Sequence, residues 1–150
     1  MRSILLLLLA APALTACGPE PAAVDAEIQQ FARSYVTSTD VTTSLSMLDQ
    51  AGTVTAITGE GIIMRGRDAI RDHANKHLAS IRDQRITMGA IEVRRIGATH
   101  ALVIAPFSAT VSALPQLILA EGAVTLVVIK RDAGWKVVHE HYSYPTIRRP

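Results

Sequence analysis

The chain has 150 residues, of which 49% are hydrophobic and only 4% aromatic, and its formal net charge is +2. That balance suits one domain with one sizeable core. It excludes a nucleic-acid platform, which needs a basic stripe interleaved with stacking rings, so no nucleic-acid partner is expected. The single cysteine, Cys17, excludes an internal disulfide and leaves the core to hold the fold.

Met1-Arg2-Ser3 carries one positive charge, and Ile4 to Ala11 is an apolar block too short to span a bilayer. Pro12 breaks it. The following Ala13-Leu14-Thr15-Ala16-Cys17 resembles the lipobox of bacterial lipoproteins. The chemistry agrees: small residues enter a peptidase as extended chain, and a thiol is the nucleophile that lipid transfer requires. The resemblance implies a signal peptide over residues 1–16, lipidation at Cys17, a tether over residues 17–23 and a domain over residues 24–150. Each buried acyl CH₂ is worth about 0.8 kcal/mol, so several chains give a stable membrane anchor. Gly18, where an aspartate would imply inner-membrane retention, implies the periplasmic side of the outer membrane in a Gram-negative host. Without residues 1–16 the chain keeps 134 residues and 14 basic against 13 acidic side chains. The Arg148-Arg149 pair reads as a solvated end.

Gly18-Pro19-Glu20-Pro21-Ala22-Ala23 offers no large apolar side chain and favours extended backbone. Asp25 can cap a helix that carries Val24, Ile28, Phe31 and Tyr35 on one face. A short helix is predicted from Thr42 to Asp49, capped by Asp40 or Thr42 and ended by Gly52. Thr53 to Thr58, the Gly59-Glu60-Gly61 turn and Ile62-Ile63-Met64 read as a hairpin. After Gly66, Asp68 to Arg82 is the clearest helix, with Ile70, Ala74, His77, Leu78 and Ile81 on one stripe. The period then becomes that of strands: Gln84 to Ile96, Thr99 to Val111, Leu117 to Lys130 and Trp135 to Tyr144. Turns at Gly97-Ala98, Ser112 to Pro115 and Asp132-Ala133-Gly134 make neighbours antiparallel. Pro106 predicts a bulge or edge and Gly122 a bend. The order of elements predicts an α+β domain, a curved antiparallel sheet packed on N-terminal helices.

The segment from Lys130 to Ser143, with Trp135 and the His139-Glu140-His141-Tyr142-Ser143 run, resembles the closing hairpin of SnoaL-like domains in the nuclear transport factor 2 (NTF2-like) superfamily. Gly66-Arg67-Asp68-Ala69-Ile70 is similar to the glycine-initiated third helix of that superfamily, and the element order agrees from Ala23 to Tyr144. The resemblance implies a cone-shaped barrel with a pocket between sheet and helices. It implies no particular reaction, because this fold hosts isomerases, cyclases, dehydratases, binding modules and oligomerisation domains. Steroid isomerases of the superfamily carry a general-base aspartate on the first hairpin. Thr53 to Thr58 contains no titratable group.

Strand alternation places Trp135, Val137, His139, His141 and Ser143 on one face and Lys136, Val138, Glu140 and Tyr142 on the other. The resemblance implies that Glu140 and Tyr142 face inward. A carboxylate in an apolar cone would have a raised pKa and could serve as acid or base, with Tyr142 as donor to a developing oxyanion. Alternatively, Glu140 pairs with Arg71 or Arg94 and stabilises the sheet. His139 and His141, the alternative-face candidates, share a face with Ser143, and His73 and His77 stand four apart on a helix. Zinc needs a third and usually a fourth ligand, so no metal is expected, and no cofactor is called for. No Gly-x-Ser-x-Gly elbow supports Ser143 as nucleophile. Tyr35 and His77 are core residues that also reach the pocket, and Leu102, Ile104, Phe107, Leu126 and Val128 are expected to supply apolar walls.

The leading expectation is an envelope lipoprotein whose pocket binds a small, mainly apolar molecule. The alternatives are a structural or dimerisation module with a filled cone, and an isomerase, dehydratase or cyclase using Glu140 and Tyr142. Leu117-Ile118-Leu119 and Leu126-Val127-Val128-Ile129 are continuous apolar runs, so both faces of these strands call for burial. A homodimer through the outer sheet face, burying Val127 and Ile129, is therefore expected.

Overall fold

The computed structural model describes residues 20–51, 53–79, 81, 83–113 and 116–148. The predicted signal segment 1–16, the predicted lipidation site Cys17 and the start of the predicted tether lie outside the described residues, as do Gly52, Arg82, the Leu114-Pro115 part of a predicted turn and Arg149.

Helix α1 spans Pro21–Val36 and starts four residues before Asp25, because Pro21 stands in its first turn. Proline suits that position: its φ is preset and its missing N–H would have no helical partner there. The helix therefore takes up residues that the sequence reads as tether. Ile28, Ala32, Tyr35 and Val36 are buried on one stripe. Helix α2, Val41–Met47, is capped by the Asp40 carboxylate, which accepts from the Thr43 N–H at 2.7 Å. Strands β1, Thr55–Ile57, and β2, Ile63–Arg65, form the expected hairpin. Gly66, at φ +83°, turns the chain into helix α3, Arg67–Ala79. The remaining strands are β3 (Asp83–Met88), β4 (Glu92–Ile96), β5 (His100–Ala113), β6 (Gln116–Arg131) and β7 (Gly134–Arg148).

These form a curved, unclosed sheet of seven strands in the order β2-β1-β7-β6-β5-β3, with β4 also on β5. β1 runs parallel to β7, and every other pair is antiparallel. The single strand predicted from Gln84 to Ile96 is two, and the cause lies opposite it. Pro106 of β5 has no N–H to offer a neighbour, and the neighbouring strand breaks there. β3 pairs with Phe107 to Ser112 and β4 with His100 to Ile104. Between them the Gly89 N–H reaches the Pro106 carbonyl at 2.9 Å.

Strict alternation along β7 also fails. Val127 faces His139 whereas Val128 faces Val137, so Val138 is an extra residue and the pairing shifts. A bulge of this kind switches which side chains face the core. Trp135 and Val137 are buried before it, and Glu140 is buried after it, although their positions differ in parity. The expectation that Trp135 and Val137 share a face with His139 and His141 is thus corrected. A second shift falls between Glu121 and Ala123, at Gly122, where a bend is predicted. Val103, Val124, Leu126 and Val128 make the fully buried centre of the sheet, packed with Ile28 of α1.

Candidate functional site

The concave side of the sheet does not fill completely. A cavity of about 350 Å³ lies between the C-terminal end of α1, the α1–α2 loop, the β1–β2 hairpin, α3 and the inner faces of β3, β5 and β7. Its walls are mainly apolar, with Leu48, Met64, Ile70 and Phe107 among them.

Glu140 is the polar group at its floor. The bulge at Val138 turns it inward, and the ladder sets it between Ala56 of β1 and Leu126 of β6. Its exposure is 8%. The Tyr35 hydroxyl donates to Glu140 Oε2 at 2.9 Å, joining α1 to β7 across the core. Tyr142 adds a second hydrogen bond. Burial pushes the Glu140 carboxyl up to about 7, and the two tyrosine hydroxyls draw it only part of the way back. Burial first, and then the neighbouring Glu140 charge, holds the hydroxyls of Tyr35 and Tyr142 well above the usual phenol range. Burial likewise raises Tyr144 to about 12.

The alternative in which Glu140 pairs with an arginine is overturned. Arg71 binds Asp68 at 2.8 Å and Arg94 binds Glu92 at 2.6 Å. Among the described residues, no lysine or arginine lines the cavity, whereas Asp40 and Glu60 join Glu140 in its wall. Beside the acid, Phe107 meets the rings of Tyr142 and Tyr144 edge-on, at 5.7 and 5.5 Å between centroids. Gly59 makes room for this cluster, since a Cβ there would lie within 1.5 Å of the Tyr144 ring. His73 and His77 stack on α3 at 6.3 Å and line the same cavity. Burial and then the His73 charge depress the pKa of His77.

Four of the predicted pocket residues, Tyr35, His77, Glu140 and Tyr142, are thus brought together on one cavity. Leu126 and Val128 are not. Both are wholly buried in the centre of the sheet, where the wall residues and α1 cover them. Of the other proposed walls only Phe107 lines the cavity; Leu102 and Ile104 alternate with the buried Ala101, Val103 and Ala105 and face outward. His139 and His141 also lie on the outer face, where His139 Nδ1 meets Thr55 Oγ1 at 2.7 Å. Ile129 is already buried within the subunit, while Val127 remains half-buried. No group of three or more His, Cys, Asp or Glu side chains stands ready to hold a metal ion among the described residues. Sequence reasoning left Tyr144 and Glu60 out of the pocket and weighed His73 only as a metal ligand beside His77. Tyr144 was accessible to it, as the next residue in the two-residue period that begins with Glu140 and Tyr142.

The structure is thus an α+β domain in which a curved sheet wraps over helices and leaves a mainly apolar hollow with one buried acid and three tyrosines. The chain belongs to the SnoaL-like domain family, whose model matches residues 24–147. No curated protein matches it in sequence. Solved structures share the fold at low identity. A nuclear transport factor 2-like superfamily protein from Salmonella enterica serovar Typhimurium is 20% identical with a TM-score of 0.75, over 85% of this chain and 94% of that one. A protein proposed to be a dehydratase of the NTF2-like family, from Streptomyces avermitilis, is 17% identical with a TM-score of 0.74, over 85% and 99%. The hexachlorocyclohexane dehydrochlorinase LinA type 2 is 18% identical with a TM-score of 0.72, over 86% and 90%.

Proposed function

We propose that this protein is a lipid-anchored envelope protein whose SnoaL-like cavity binds a small, mainly apolar molecule with one polar group. The observation that carries the binding reading is the cavity itself: about 350 Å³, largely apolar, with the hydrogen-bonded Tyr35, Glu140 and Tyr142 converging at one end. Ligand sites have this character, a few placed polar groups in an apolar hollow, and a module used only for assembly has no need of one. The anchor rests on the lipobox-like run ending in Cys17 and on the lone thiol there. A homodimer through the outer sheet face accompanies this reading. Leu102, Ile104 and Val127 form its half-buried apolar centre.

A second reading is favoured by one observation. A carboxyl at about 7, next to tyrosine hydroxyls, can give or take a proton at neutral pH, which is what an eliminating or isomerising enzyme asks of its acid–base group. Relatives in fold include a dehydrochlorinase and a proposed dehydratase.

Native mass spectrometry of the protein taken from its host membranes tests the main reading in one experiment. It should show a chain beginning at an acylated Cys17, a two-subunit assembly and a retained small molecule. A chain still carrying residues 1–16 would remove the anchor. A monomer would remove the dimer, and an empty protein that takes up no apolar fluorophore would remove the binding function.

A further inference from the structure

We infer that the cavity is built for an organic cation, whose ammonium group sits between the Glu140 carboxylate and the rings of Phe107, Tyr142 and Tyr144, its hydrocarbon part lying against Leu48, Met64 and Ile70. This rests on the binding reading above and names the class of ligand. A buried carboxylate ordinarily keeps a lysine or arginine beside it, because an unpaired charge in an apolar setting is costly. Glu140 has only hydroxyl donors, from Tyr35 and Tyr142. The charge facing it from each packed element is acidic or titratable: Asp40 before α2, Glu60 on the β1–β2 hairpin, and His73 and His77 on α3. With no lysine or arginine in the wall among the described residues, the site lacks its own counter-charge and repels anions.

The aromatic cluster supplies the other half of the recognition. Ring faces carry negative potential and attract alkylammonium groups, most strongly where water is excluded. Phe107, Tyr142 and Tyr144 stand within 5.5 to 6.4 Å of one another beside the acid. An ammonium there gains the rings and the carboxylate together, whereas a neutral group of the same shape gains neither. The raised pKa of Glu140 fits this: a bound cation provides what the empty site is missing and stabilises the ionised form.

The test uses the mature lipidated protein in zwitterionic nanodiscs and three probes of one shape, with empty nanodiscs subtracted. They are choline, its uncharged isostere 3,3-dimethylbutan-1-ol, and 3,3-dimethylbutanoate. Tyrosine ring shifts in NMR titrations should report choline binding about tenfold tighter than the alcohol at pH 8, with the carboxylate weakest. The preference should shrink on lowering the pH to 6, where Glu140 is protonated and no longer offers a charge to a cation. Glu140→Gln should erase it while the alcohol still binds. Tyr144→Leu should reduce it. The inference is overturned if the alcohol binds as tightly as choline, if the carboxylate binds best, or if the preference survives in Glu140→Gln. Binding of the alcohol alone would leave the cavity reading intact; saturation by none of the three would overturn both.

Discussion

Glu140→Gln is expected to stabilise the protein at pH 8 while leaving it little changed at pH 4. The sign follows from linkage. The Glu140 carboxyl stands at about 7 in the folded protein against 4.5 for the free side chain. Below pH 4.5 it is protonated in both states and costs nothing. As the pH rises from 4.5 to 7 the unfolded chain ionises while the folded one stays protonated, and stability falls. Above 7 the loss is complete, at about 3 kcal/mol for a difference of roughly 2.5 units. An amide cannot ionise and escapes that loss. It keeps an acceptor for the Tyr35 hydroxyl, but its N–H₂ finds fewer partners, so a net gain of about 1–2 kcal/mol is expected at pH 8. Denaturant unfolding of both proteins from pH 4 to pH 8 measures it. The depressed pKa values of His77 and His139 act in both proteins and cancel in the difference. Parallel pH profiles would mean that Glu140 is not held in this way. A carboxyl held at such a cost is the pattern common at binding and active sites, and it is what makes Glu140 a candidate for either.

Gly122→Ala is expected to be among the most damaging small substitutions in the domain, at about 3 kcal/mol. A Cβ at this position would lie 2.0 Å from the Ser143 carbonyl oxygen, 3.0 Å from its carbon and 3.3 Å from the Phe107 ring. The first two are backbone atoms of the neighbouring strand and cannot rotate away as a side chain can. Relief requires β7 to move off β6 where their register already shifts. That movement would carry Tyr142 and Tyr144, the residues flanking Ser143, so ligand binding should fall along with thermal stability. Gly134→Ala provides the comparison. Gly134 sits at φ +103° with open space around its Cα, and its cost should be the conformational one alone, about 1 kcal/mol. Thermal melts of the two variants decide the matter: a Gly122→Ala protein no less stable than Gly134→Ala would show that the β6–β7 spacing is soft.

What the sequence determined by itself was what neighbouring residues encode. Asp40 before a short apolar turn marks the start of α2, Gly59-Glu60-Gly61 marks the hairpin, and the Ile70 and Ala74 stripe marks α3, because capping, turn geometry and helical period are set within a few residues. The pairing of Glu140 with Tyr142 on one face was legible for the same reason. Only the tertiary structure decided the rest. The break at Gly89 is imposed by Pro106, and the inward turn of both Trp135 and Glu140 by a bulge at Val138, which shows only in the pairing with β6. Tyr35 reaches Glu140 across 105 residues of chain. Both arginines that the sequence offered as partners found nearer carboxylates instead. Register between strands and the identity of a buried group's neighbours depend on segments far apart in the chain, so local periodicity carries no record of them, and it was those neighbours that left the buried carboxyl of the cavity without a lysine or arginine in the wall among the described residues.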